Sequence, residues 1–166
     1  MDLRLYHNSH EFYYRSSFGA VPSGSRLILR LRASGSDAQN CRARIRLWQI
    51  NVGESFVPMS YEDGIFTGIV TIPPKGCLLW YYFIIDDGHR TFYYGNNYDR
   101  LGGEGAKYPD VPPAYQVTVY DKDAHTPDWF KHAIVYQIFP DRFCEGIENK
   151  PMPFPDRLYQ ADKHAE

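Results

Sequence analysis

Apolar and polar side chains alternate along residues 25–34, SRLILRLRAS. Leu27, Leu29, Leu31 and Ala33 fall on one face, Ile28, Arg30 and Arg32 on the other. A period of two marks a strand with one face buried. Residues 41–50, CRARIRLWQI, repeat the pattern, with Ala43, Ile45 and Leu47 set against Arg42, Arg44 and Arg46. An Asp-Gly turn signal in YEDGIF (61–66) introduces a strand over 64–72, with Phe66, Val70 and Ile72 on one side. Pro73-Pro74-Lys75-Gly76 ends it. LLWYYFIID (78–86) and HRTFYYG (89–95) then predict a hairpin joined at a two-residue Asp87-Gly88 turn. Both faces of LLWYYFIID are apolar. Leu79, Tyr81, Phe83 and Ile85 are expected in the core, and Leu78, Trp80, Tyr82 and Ile84 form a second face that something must cover. Residues 95–114, rich in Gly, Asn, Asp and Pro, predict a loop of a length that is often functional. YQVTVY (115–120) is a final alternating strand.

Short strands at close spacing, with turn signals between them and no amphipathic helix, predict an all-β fold: an immunoglobulin-like antiparallel β-sandwich over residues 1–122. A polar linker with a proline follows over 123–132. Then the pattern changes. AIVYQIFPDRF (133–143) opens on a continuous apolar run, which suits a strand buried on both faces in a parallel sheet. Only 23 residues follow it, too few for the crossover helices and partner strands of such a sheet.

Composition narrows the reading. An aromatic fraction of 16% fits a β-rich core and also supplies flat surfaces for ligands such as sugar rings. The arginines at 30, 32, 42, 44 and 46 predict a solvated outer surface balanced by nearby acids. A formal charge of −2 gives no electrostatic reason to expect nucleic acid. Cys41, Cys77 and Cys144 have neither disulfide-framework nor metal-ligand spacing, so reduced thiols are expected. The histidines lack zinc spacing, and GGEG (102–105) lacks the ending and the strand–helix setting of a phosphate loop. MDLRLYHNSH lacks a signal-peptide core and no segment approaches a membrane span, so a cytoplasmic location without a membrane partner is the expectation.

Asp128-Trp129-Phe130 followed by AIVYQIFPDRF resembles glycoside hydrolase family 13, the alpha-amylase family, and within it the neopullulanase, cyclomaltodextrinase and maltogenic-amylase group. In that group a PDW segment joins an N-terminal sandwich to the catalytic barrel, and this apolar run is the first barrel strand. Tyr6-His7 near the start, LILRLRA and the late hairpin agree in order and character. The sandwich of the group is similar to a family-34 carbohydrate-binding module. The resemblance implies the N-terminal accessory domain of an alpha-glucan-processing enzyme, cut soon after strand one of a (β/α)8 barrel. Residues 133–166 would then begin that barrel, with a disordered tail from about 150. Retaining glycosidases need two carboxyl groups about 5–5.5 Å apart. The family places them after later strands, so no catalytic residue is assigned and the 166-residue chain is expected to be inactive alone. Asp141-Arg142 reads as a strand-end charge pair and Tyr136 as packing. Some relatives hold calcium after this strand; here Cys144 replaces the expected Asn in Cys144–Asn149, so no metal or other cofactor is assigned.

Candidate substrate-binding residues are Trp80, Tyr82, Tyr93 and Tyr94 of the hairpin and Trp48 of the second strand, offered as platforms for glucose rings. The partners implied are an alpha-glucan or malto-oligosaccharide, the missing barrel, and a second subunit in a homodimer. Cover by protein ranks first for the apolar face of 78–84 and sugar second. The alternatives to an enzyme's accessory domain are a stand-alone starch-binding module and a dimerisation domain without catalysis. Residues 133–139 are expected to add to a sheet edge, lie on the sandwich, or contact another molecule.

Overall fold

The alternating segments become strands in the structure, a computed structural model that describes residues 3–139. In chain order these are β1 (Arg4–Tyr6), β2 (Val21–Pro22), β3 (Arg26–Ser34), β4 (Arg42–Gln49), β5 (Gly53–Pro58), β6 (Ser60–Glu62), β7 (Ile65–Thr71), β8 (Cys77–Asp86), β9 (Thr91–Gly95), β10 (Ala106–Tyr108) and β11 (Tyr115–Tyr120). All lie in the first of two units, residues 1–124 and 125–166. One sheet runs β1-β3-β7-β6, antiparallel throughout. The other centres on β8. β4 pairs along one of its edges, and β11 and β9 share the other by pairing with its first and last halves. Outside these lie β5 on β4, β10 on β9, and β2 on β11, the last pair parallel. The chain changes sheet at Met59, between β5 and β6.

The inward faces make one core. Leu27, Leu29, Leu31, Phe66 and Val70 come from the first sheet, and Ile45, Tyr81, Phe83, Ile85 and Val117 from the second. Each such side chain contributes about 1.5–3 kcal/mol when buried, which fixes which face of each strand turns inward. The all-β sandwich anticipated from the alternation is the fold observed.

Two turns differ in legibility. Asp63 and Gly64 both have positive φ, 46° and 80°, as a two-residue turn between β6 and β7 demands. At the later hairpin the closing pair is Asp86 with Thr91, so the loop is Asp87–Arg90 and not Asp87-Gly88 alone. Local side-chain bonds select the longer loop. Asp86 Oδ1 accepts from the Gly88 N–H at 2.8 Å, and Asp87 Oδ1 accepts from the N–H groups of His89 and Arg90 at 3.0 and 2.9 Å. Those backbone bonds hold the Asp87 carboxyl below its ordinary pKa.

In the second unit the described residues contain one short helix, α1 (Asp128–Lys131), where Lys131 Nζ meets Asp128 Oδ1 at 2.7 Å. Ala133–Phe139 has no ladder partner among the described residues, and Ile134, Val135 and Tyr136 are exposed. Asp141-Arg142, the Cys144–Asn149 stretch and the tail lie outside the described residues.

Candidate functional site

The outward face of the β8 sheet follows from the same period of two that builds the core. Leu78, Trp80, Tyr82 and Ile84 point outward because Leu79, Tyr81, Phe83 and Ile85 point inward. Register then sets their neighbours. Trp80 stands opposite Trp48, Tyr82 opposite Arg46, and Ile84 opposite Arg44 on one side and Tyr93 on the other. The two indoles lie 5.0 Å apart at 55°, both half-buried. Tyr82 meets Tyr93 edge-on at 6.0 Å.

Four of the five candidate residues, Trp48, Trp80, Tyr93 and Tyr82, the last only 7% exposed and so no open platform, therefore share one face. Tyr94 does not. Pairing opposite Phe83 turns it into the core, where it is 2% exposed, so it is no surface platform. Its hydroxyl accepts from the His7 N–H and donates to the His7 carbonyl, each at 3.1 Å, and burial pushes its pKa up to about 12.

The arginines lie on outward faces, with Arg32, Arg42 and Arg44 exposed as the expected solvated surface requires. Arg46 pairs with Glu54 at 3.4 Å and lies 5.3 Å from the Tyr82 ring centre. Arg44 covers Phe56 at 5.0 Å, and Arg30 and Arg32 lie over Tyr13 and Tyr14 at 4.8 and 5.7 Å. Aromatic faces, more than acids, receive these cations. Burial raises the Tyr82 pKa, with Arg46 opposing it.

Residues 7–20 carry no alternation, and their role was not legible from the sequence. His7 is wholly buried among Tyr14, Tyr81, Phe83 and Tyr115. Its Nδ1 lies 2.7 Å from the Arg30 carbonyl, which only accepts, so Nδ1 carries the proton and Nε2 accepts from the Tyr81 hydroxyl at 3.0 Å. Desolvation lowers its pKa to about 4. The GGEG segment clasps the same N-terminal stretch. Ser9 N–H donates to the Gly103 carbonyl and Gly103 N–H to Ser9 Oγ, both at 2.9 Å, and Gly105 N–H donates to the His7 carbonyl at 3.1 Å. Asn96 Oδ1 accepts from Gly102 N–H at 3.1 Å, and Asn97 Nδ2 donates to the Gly102 carbonyl at 2.7 Å. The long loop expected over 95–114 is thus tied down and contributes β10.

Between this clasp and β8 opens a cleft of about 640 Å³ that shares Trp80 with the outward face. Arg15 lines it and is itself buried. Its Nη1 donates to the Gln116 carbonyl at 3.2 Å and its Nη2 to the Gly19 carbonyl at 2.8 Å, while Nε has no partner. Such a surface can bind flat apolar rings with polar rims. Among the described residues no cluster of three metal-ligating side chains occurs, and no helix is long and apolar enough to cross a membrane.

Fold and face together define a β-sandwich segment with an aromatic, arginine-laced sheet surface beside a basic cleft. Its similarity is to amylopullulanases. Those of Thermoanaerobacterium thermosulfurigenes and Thermoanaerobacterium saccharolyticum are each 40% identical, over 153 and 152 residues. The amylopullulanase of Thermoanaerobacter thermohydrosulfuricus is 39% identical over 155 residues. These matches cover 86–87% of the chain but only 8–12% of the relatives' own length. No family model matches the chain.

Proposed function

We propose that the chain is the N-terminal accessory region of an alpha-glucan-processing glycoside hydrolase of the alpha-amylase family. In this reading residues 1–122 are a starch- or malto-oligosaccharide-binding sandwich akin to a family-34 module. Residues 123–132 are a linker, and 133–166 begin a catalytic barrel of the neopullulanase-like type. The catalytic carboxylates belong to the rest of the parent enzyme, and the chain alone is inactive. The observation that carries the reading is the 40% identity with a small segment of proteins named amylopullulanase. The paired indoles of Trp48 and Trp80 supply its physical content. Two adjacent rings on a rigid sheet offer successive sugar units an apolar floor at little conformational cost.

The test is a calorimetric titration of the 166-residue chain with maltoheptaose and β-cyclodextrin. Saturable binding is expected, weakened at least about tenfold by Trp80→Ala. No heat at millimolar sugar overturns the glucan-binding role. A second reading, in which this face is covered by the parent's barrel or a second copy, draws on Phe56 and Leu78, which are 48% and 39% exposed on it. A concentration-dependent dimer in sedimentation, dissociated by Phe56→Lys, is its signature.

A further inference from the structure

The cleft beside Trp80 has a charge pattern that a neutral glucan does not explain. Its ionisable lining residues of charged type are Arg15, Arg100 and His10, and no carboxylate lines it. This basicity occurs in a chain of net charge −2, so it is local. Arg15 is the informative member. It is 93% buried, since its exposure is 7%, yet the groups beside its guanidinium, two backbone carbonyls and the Tyr81 hydroxyl, carry no charge. Among the described residues no acid lies within ion-pairing distance of it. A cation taken out of water without a counter-charge is costly, and the cost falls when an anion enters beside it. Low surrounding polarisability strengthens the attraction.

The rest of the lining states what carries the anion. Trp80 and Phe18 line the cleft, with the exposed Gln116 and Thr118 of β11 beside them. Rings with a few polar groups between them suit a saccharide. Trp80 also belongs to the indole pair, so a chain lying on Trp48 and Trp80 continues into the basic cleft.

We infer that the Arg15 cleft binds a saccharide bearing an anionic substituent, a phosphate monoester or a uronate carboxylate, with Arg15 and Arg100 supplying the charge and Trp80 the ring contact. This deepens, and rests on, the glucan-binding reading proposed above.

Four probes, titrated calorimetrically into the 166-residue chain at low salt, test it: maltotriose, maltotriose phosphorylated at one 6-hydroxyl, maltotriose oxidised to a terminal uronate, and inorganic phosphate. One or both charged sugars should bind at least about tenfold more tightly than maltotriose, with an advantage that shrinks as salt rises. Which one does so distinguishes a phosphorylated from a uronate-bearing source. Arg100→Gln, at an exposed site, should remove most of the advantage of the charged sugars over maltotriose, and Arg15→Gln all of it. Should Arg15→Gln fail to fold, Arg100→Gln decides alone. Equal affinity for charged and neutral sugars overturns the inference and spares the glucan reading. Binding of the charged sugars with none of maltotriose upholds the cleft and removes the neutral-glucan platform. Inorganic phosphate binding as tightly as the phosphorylated sugar overturns the saccharide component.

Discussion

His7 has both ring nitrogens committed, one donating to the Arg30 carbonyl and one accepting from Tyr81, with aromatic rings on all sides. Adding a second proton would place an unpaired cation in the core, which is why its pKa falls to about 4 from 6.5. The unfolded chain binds this proton below pH 6.5 and the folded chain only near pH 4. Stability is therefore complete above pH 6.5 and declines as pH falls toward 4, by on the order of 3 kcal/mol from this residue. Urea unfolding across that range, compared with His7→Gln, should show a steeper loss for the native chain; parallel curves would refute the assignment. Tyr81→Phe removes the donor to His7 Nε2 and should cost about 1–3 kcal/mol, read by the same method. Neither role was legible in the sequence. A lone histidine between short, non-alternating residues gives no periodic signal, and its partners lie 23 and 74 positions away.

Strand periodicity, by contrast, was legible wherever burial was one-sided. β3, β4, β7 and β11 carry their inward residues at every second position, and β8, although buried on both faces from Tyr81 to Ile85, keeps the same period in the residues it gives to the core. β5 was not legible because it is an exposed edge strand with no apolar alternation. Tyr94 was misplaced as a platform because neighbouring tyrosines in an apolar run look alike until register assigns their faces. The GGEG segment shows no pattern either, since its importance lies in close approach. A side chain at Gly105 would meet the Gly95 carbonyl and the Tyr115 hydroxyl at 2.1 Å, whereas one at Gly88 meets nothing within 4 Å. Gly105→Ala is thus expected to destabilise by about 3 kcal/mol or more, through overpacking against backbone. Gly88→Ala should cost only about 1–2 kcal/mol, for its positive φ. Thermal melts of the two variants check the contrast, and equal effects would contradict the packing of the clasp.

At the level of the whole molecule, every described ladder and the entire described core fall within residues 1–124. A chain ending at Ala124 should therefore unfold cooperatively at the same denaturant midpoint as the 166-residue chain; a large drop in midpoint would mean that the sandwich depends on residues 125–166. The apolar run after the linker reads in the sequence as the opening of a barrel, and the similarity to amylopullulanases extends over 86–87% of the chain. The cleft and its uncompensated Arg15 could not be read in advance, because they arise from four chain segments meeting only in the fold. The central claim is that the outward sheet face, led by Trp48 and Trp80, is where an alpha-glucan lies. The chain has three tryptophans, so a ¹⁵N–¹H spectrum shows three indole N–H signals. Titration with maltoheptaose should shift the signals of Trp48 and Trp80 and leave that of Trp129 in place; a spectrum in which only Trp129 moves, or none does, would contradict the account.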